Sequence, residues 1–129
     1  MSTKKRIIRL KENENIGLPY SLAVRYDSLV FVSGNVSLDL ETRKPLLGTI
    51  EFETEQVLKN IETILRSAGS GLDCVLKTQV FLTDIKYFQP MNEIYRRFFP
   101  HDPPARSTFG IQLAGDYKIE IEAIAYIPD

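Results

Sequence analysis

The sequence predicts an α+β fold, a mixed sheet carrying two helices on one face, and three features lead to that reading. Between Phe52 and Ala68 the apolar residues Val57, Leu58, Ile61, Ile64, Leu65 and Ala68 return at three- and four-residue steps with Glu, Lys and Arg between them, the period of a helix with one buried stripe. Near the end of the chain, Ile119, Ile121, Ala123, Ala125 and Ile127 alternate with Lys118, Glu120, Glu122, Ile124 and Tyr126, the two-residue period of a strand. Short runs rich in β-branched residues precede and separate the helical stretches, so the elements fall in the order β-β-β-α-β-α-β-β.

The first strand is expected over Arg6–Leu10, followed by a polar loop over Glu12–Pro19. Leu22–Tyr26 and Leu29–Ser33 form a hairpin that turns at Asp27-Ser28 and ends at Gly34. After the helix over residues 52–68, which Gly69 stops, Val75–Leu82 has the alternating polarity of a half-buried strand closed by Thr83-Asp84. Pro90 suits a first helical turn and no later one, which starts the second helix near Gln89 and carries it to about Phe99. Met91, Ile94, Tyr95, Phe98 and Phe99 line its apolar side. The segment Pro100-His101-Asp102-Pro103-Pro104 is then an extended loop, because successive prolines forbid helix and restrict the residues before them. That loop delivers Arg106 to the start of the next strand.

At 129 residues the chain fits one domain, residues 1–129, with no room for a second core of ordinary size. Its formal charge of −1, with no basic stripe beyond Lys4-Lys5-Arg6, points to a small substrate and away from nucleic acid. The single cysteine, Cys74, sits among Leu72, Val75 and Leu76 and reads as a packed thiol; no disulfide framework exists. One histidine, His101, in a proline-rich loop, rules out a His-based triad or a multi-histidine metal site within one chain. No run is apolar and long enough for a signal peptide or a membrane span, which makes the cytoplasm the expected location. Two helices cover only one face of the sheet. The other face, with Glu120 and Glu122 beside aliphatic neighbours, is expected to be a subunit interface in a symmetric homo-oligomer, the alternative being a solvated antiparallel face.

Pro104-Ala105-Arg106-Ser107 followed by Lys118-Ile119-Glu120-Ile121-Glu122-Ala123-Ile124-Ala125 resembles the Rid (YjgF-type) family of reactive-intermediate deaminases, RidA-like in type. Pro19-Tyr20-Ser21, Val32-Ser33-Gly34, Asn60-Ile61, Lys77-Thr78-Gln79-Val80-Phe81 and Met91-Asn92-Glu93-Ile94-Tyr95 fall in family order as well, so the resemblance spans nearly the whole chain. It implies a chorismate-mutase-like fold, a homotrimer with sites in the clefts between subunits, and no metal or organic cofactor. It also implies hydrolysis of 2-imino and 2-enamino acids, such as 2-aminoacrylate and 2-iminopropanoate, to 2-oxo acids and ammonia. The alternatives are a non-catalytic, regulatory 2-oxo acid-binding protein and, further off, a translation-inhibiting ribonuclease.

The chemistry fits particular residues. A 2-imino acid presents a planar carboxylate beside an electrophilic C=N carbon, and a guanidinium matches that carboxylate with two parallel charge-assisted hydrogen bonds. Arg106 is assigned that task, and the family's substrate arginine falls on it. Hydrolysis also needs a water aimed at the carbon, and a shielded carboxylate can position and deprotonate it. Spacing does not separate Glu120 from Glu122; the resemblance selects Glu120. Ser33 and Gly34 offer a hydroxyl and close backbone approach, Tyr20 a phenol, and Asn92 an amide, while Ser107 and Thr108 follow the arginine as further substrate contacts. The chain departs from the family at Thr108, where a cysteine is usual, at Leu22, where glutamine is common, and in a loop between Arg106 and Glu120 that is one residue shorter.

Overall fold

Alternating strands and amphipathic helices resolve, in a computed structural model describing residues 4–11, 14 and 16–129, into eight elements. They are β1 (Arg6–Ile8), β2 (Ala23–Tyr26), β3 (Leu29–Val36), α1 (Ile50–Ser67), β4 (Val75–Leu82), α2 (Phe88–Phe98), β5 (Ala105–Gly110) and β6 (Ile119–Tyr126). The loop expected after the first strand falls partly on Glu12, Asn13 and Asn15, which lie outside the described residues. The six strands form one sheet in the order β1-β2-β3-β6-β4-β5. Every neighbouring pair is antiparallel except β4 and β5, whose connection crosses through α2. The expected mixed sheet with two helices on one face is therefore present.

Helix α1 starts two residues earlier than its apolar period suggests. Thr49 caps it, its hydroxyl accepting from the Phe52 amide at 3.1 Å, and Glu51 and Glu53 lie in the first turn, where the helix dipole favours negative charge. Gly69, at a φ of +83°, ends it by letting the Gly69 and Ser70 amides turn back to the carbonyls of Arg66 and Leu65. The buried stripe of Val57, Leu58, Ile61, Ile64 and Leu65 packs on Val30, Val32, Val80, Ile119, Ile121, Ala123 and Ala125 of the sheet. In α2, Met91, Ile94 and Tyr95 are buried, and the Tyr95 hydroxyl lies 2.7 Å from Thr78 Oγ1, tying the helix to β4.

Strand β3 corrects one expectation. It does not end at Gly34; it continues to Val36 through a β-bulge, the register to β6 shifting between Val32–Ala123 and Asn35–Ile121. The bulge lets the strand bend without losing its partner, a possibility that a Ser-Gly pair alone does not disclose. The first strand is also shorter than expected, stopping at Ile8.

A second unforeseen feature is the burial of Glu53. Its carboxylate, 0% exposed, accepts the backbone amides of Lys118 at 2.9 Å and Gly48 at 3.2 Å, and it pairs with Lys118 Nζ at 3.5 Å. The entry to β6 is thereby fastened to the start of α1. Cys74 is buried as expected, and His101 is exposed. Among the described residues no helix is long and apolar enough to cross a membrane.

The face opposite the helices is strongly apolar. Tyr26, Leu29, Phe31, Leu76, Phe109 and Tyr126 are exposed on it, and Phe81 stacks on Phe109 with ring centroids 5.8 Å apart.

Candidate active site

Strand register decides which of the expected site residues can meet. Arg106 pairs with Thr78, which is buried beneath α2, so the arginine lies on the helix side of the sheet. Glu120 alternates with the buried Ile119 and Ile121, so its carboxylate lies on the open side. Two inter-strand steps, β5 to β4 to β6, add roughly 10 Å of lateral separation. Within one chain the two residues do not converge, and each anchors its own cluster.

On the helix side the Arg106 guanidinium carbon sits 4.8 Å from the Tyr95 ring centroid and 5.8 Å from that of Phe88, with Nη1 4.0 Å from the Met91 sulfur. Aromatic faces and a thioether hold the cation by its flat surface. Arg106 forms no ion pair among the described residues, so its fork of N–H donors is available to a carboxylate. Asn92, Tyr95, Arg96, Pro103 and Pro104 join it around a cavity of about 250 Å³. Thr108 pairs with the buried Val80 and faces the same side. Asn92 Oδ1 and Thr108 Oγ1 are both buried without a hydrogen-bond partner. Two orphaned polar atoms on the arginine's side of the sheet are what a polar ligand or ordered water would satisfy. Burial pushes the Tyr95 phenol upward, the Thr78 hydrogen bond and the Arg106 charge opposing it, which keeps that ring neutral under the cation.

The second cluster gathers Tyr20, Leu22, Ser33, Gly34, Asn35, Arg43 and Glu120 around a cavity of about 100 Å³. Burial, and then repulsion from Glu122, raise the Glu120 carboxyl from its ordinary value. Ser33 spends its proton on the Ser21 carbonyl at 2.6 Å, so towards a ligand its hydroxyl can only accept. Tyr20 is 48% exposed, its hydroxyl oxygen accepting from Arg43 Nη2 at 3.4 Å. Gly34 is where the carboxylate of Glu120 presses on β3: a Cβ there would come within 2.8 Å of Glu120 Cδ and closer still to Oε2. Because the obstruction is the end of a flexible side chain, Gly34→Ala is expected to leave the melting temperature nearly unchanged while displacing the carboxylate. Thermal denaturation alongside turnover tests this; a collapse of stability would mean the glycine serves the bulge instead.

Ser107 belongs to neither cluster. Its register partner is Gln79, which pairs in turn with Glu122, so it faces the open side near the stacked phenylalanines. Arg43 is the pocket residue that the sequence does not advertise, since a turn following Glu41-Thr42 reads as surface. Among the described residues no group of three or more His, Cys, Asp or Glu side chains is placed to hold a metal ion.

The model of the Endoribonuclease L-PSP family, the YjgF/RidA group, matches residues 13–127. The chain belongs to the Rid family. Its relatives include Reactive Intermediate Deaminase A, chloroplastic, of Arabidopsis thaliana, 42% identical over 96% of this chain and 67% of the relative. The human 2-iminobutanoate/2-iminopropanoate deaminase is 39% identical over 83% of this chain and 79% of its own. The crystal structure of RidA from an Antarctic Psychrobacter superposes with a TM-score of 0.83 at 34% identity, covering 98% of this chain and 100% of that one. The α+β architecture is shared with the Psychrobacter structure.

Proposed function

We propose that this Rid protein hydrolyses 2-imino acids, and the 2-enamino acids in equilibrium with them, to 2-oxo acids and ammonia, without a cofactor and in the cytoplasm. The observation that carries the reading is Arg106: a guanidinium cradled by Tyr95, Phe88 and Met91, with no ion-pairing carboxylate among the described residues. The names of the Arabidopsis and human relatives point to the same chemistry.

The active unit in this reading is a homotrimer in which Arg106 of one chain faces Glu120 of its neighbour. Two observations support it. The clusters lie on opposite sides of the sheet and cannot complete each other within a chain, and the open face carries exposed aromatic side chains that favour burial. Arg106 then binds the substrate carboxylate through two N–H donors, while Asn92 Oδ1 and Thr108 Oγ1 are acceptors for the N–H groups of the protonated imine. The Glu120 carboxylate takes a proton from water as the water oxygen adds to the C=N carbon of the protonated imine, giving a neutral carbinolamine. Glu120 passes that proton to the amino nitrogen, the hydroxyl proton returns to the Glu120 carboxylate as the C–N bond breaks and the C=O bond forms, and ammonia and the 2-oxo acid separate. Water is the nucleophile, so threonine in place of cysteine at position 108 alters the pocket wall and leaves the reaction its nucleophile.

The test generates 2-aminoacrylate in situ from serine with a dehydratase and follows pyruvate release. Faster release in the presence of the protein is expected; none over buffer, across several imino acids, would sink the proposal. A 2-oxo acid-binding protein without turnover remains the second reading, because the arginine cradle fits a 2-oxo acid as well as its imine. Binding of 2-oxobutanoate with no acceleration would select it.

The pH profile carries a sign. If the unprotonated Glu120 is the base, activity is lost as pH falls through its raised pKa. The acid limb of kcat/KM should therefore lie above that of an unperturbed glutamate. Glu122→Gln removes the repelling charge and is expected to move that limb to lower pH. A limb unmoved by this substitution would take the base role away from Glu120.

A further inference from the structure

Arg43 presents a cation to the Glu120 cluster from a position where an arginine is an unusual choice. Its φ is +65°, a left-handed conformation that glycine or asparagine adopts far more readily than a long side chain does. The turn that holds it is well tied. The Arg43 amide donates to the Asp39 carbonyl at 2.8 Å, and the Asp39 carboxylate accepts the Glu41 and Thr42 amides at 2.9 and 2.8 Å. The root of the side chain is thus fixed, and from it the guanidinium lines the cavity shared with Tyr20, Ser33 and Glu120.

That charge offsets no carboxylate among the described residues. Arg43 forms no ion pair among the described residues, and its one side-chain hydrogen bond is the long 3.4 Å contact to the Tyr20 hydroxyl. Its field nevertheless reaches Tyr117, whose phenol burial pushes upward and Arg43 pulls back down. A guanidinium with unoccupied donors on a pocket wall matches a carboxylate better than any neutral group.

We propose that Arg43 binds the distal carboxylate of a dicarboxylic substrate, making 2-imino dicarboxylic acids a preferred substrate class. The inference rests on the shared-site reading above. With the 2-imino carboxylate on Arg106 of one chain and the C=N carbon at Glu120 of the other, a second cation on the Glu120 side finds no partner in a monocarboxylic imine. A substrate whose side chain ends in a carboxylate occupies it.

The experiment forms imines in situ with amino-acid oxidases from aspartate and from alanine. Turnover is measured by how far the protein suppresses semicarbazide trapping, for wild type, Arg43→Gly and Arg43→Gln. Glycine relieves the left-handed turn, so any loss in Arg43→Gly is not a folding defect; Arg43→Gln keeps the length without the charge. The ratio of kcat/KM for the dicarboxylic over the monocarboxylic imine is expected to fall at least tenfold in both variants. A ratio within twofold of wild type in both overturns the assignment.

If neither imine is turned over by any form, the deaminase reading fails, and calorimetry decides the Arg43 inference by itself. Wild type is then expected to bind 2-oxoglutarate at least tenfold more tightly than 2-oxobutanoate, with the preference lost in Arg43→Gly. Equal affinity for the two in wild type overturns it.

Discussion

Arg106→Ala is expected to cut kcat/KM for imine hydrolysis by roughly 10²- to 10⁴-fold, since two charge-assisted hydrogen bonds contribute about 1.5–3 kcal/mol each. The fold should tolerate the change. Arg106 lies on the edge strand β5 and contributes no ion pair among the described residues, so what the structure loses is stacking against Tyr95 and Phe88. Arg106→Lys retains the charge but not the planar fork, and it should recover only part of the rate. Steady-state kinetics with a dehydratase-generated imine, alongside thermal denaturation, separate the two effects. Retention of more than a tenth of wild-type kcat/KM by the alanine variant would remove Arg106 from the site.

The largest effect on stability is expected at Glu53. Glu53→Ala takes the acceptor from the amides of Gly48 and Lys118 and leaves Lys118 Nζ without its counter-charge. Removing one partner of a buried pair costs about 3–5 kcal/mol. For a domain of this size that lowers the melting temperature by on the order of 10 °C or more. Glu53→Gln keeps the volume and an acceptor oxygen and should lose much less. Calorimetric unfolding of both variants checks the ordering. If alanine and glutamine cost the same, the hydrogen bonds to the loop amides are not what the side chain supplies.

Much of this molecule is legible in its sequence where burial follows a regular period. The stripe of α1, the alternation of β6 and the place of Pro90 in the first turn of α2 all correspond to what the chain forms, because local period and buried face coincide. Glu53 escapes such a reading. It sits next to the apolar stripe of α1, but it is buried because two amides far apart in sequence need an acceptor there. Ser33-Gly34 misleads for a related reason: the pair reads as a strand end, whereas the glycine makes room for Glu120 from a strand more than eighty residues on. The face on which Arg106 emerges is equally hidden. It depends on the parallel register of β5 on β4, which only the folded crossover sets.

The separation of Arg106 and Glu120 onto opposite sides of one sheet has a genetic consequence. If each reaction centre is assembled from two chains, a chain lacking the arginine and a chain lacking the glutamate are complementary and not merely both defective. Unfolded together at equal amounts and refolded, Arg106→Ala and Glu120→Gln should restore activity to about a quarter of the sites, those where an intact arginine meets an intact glutamate. Either variant refolded alone should stay inactive. Two alleles, each null in isolation, would then support each other in one cell. A mixture no more active than its components would place both residues in centres that a single chain completes.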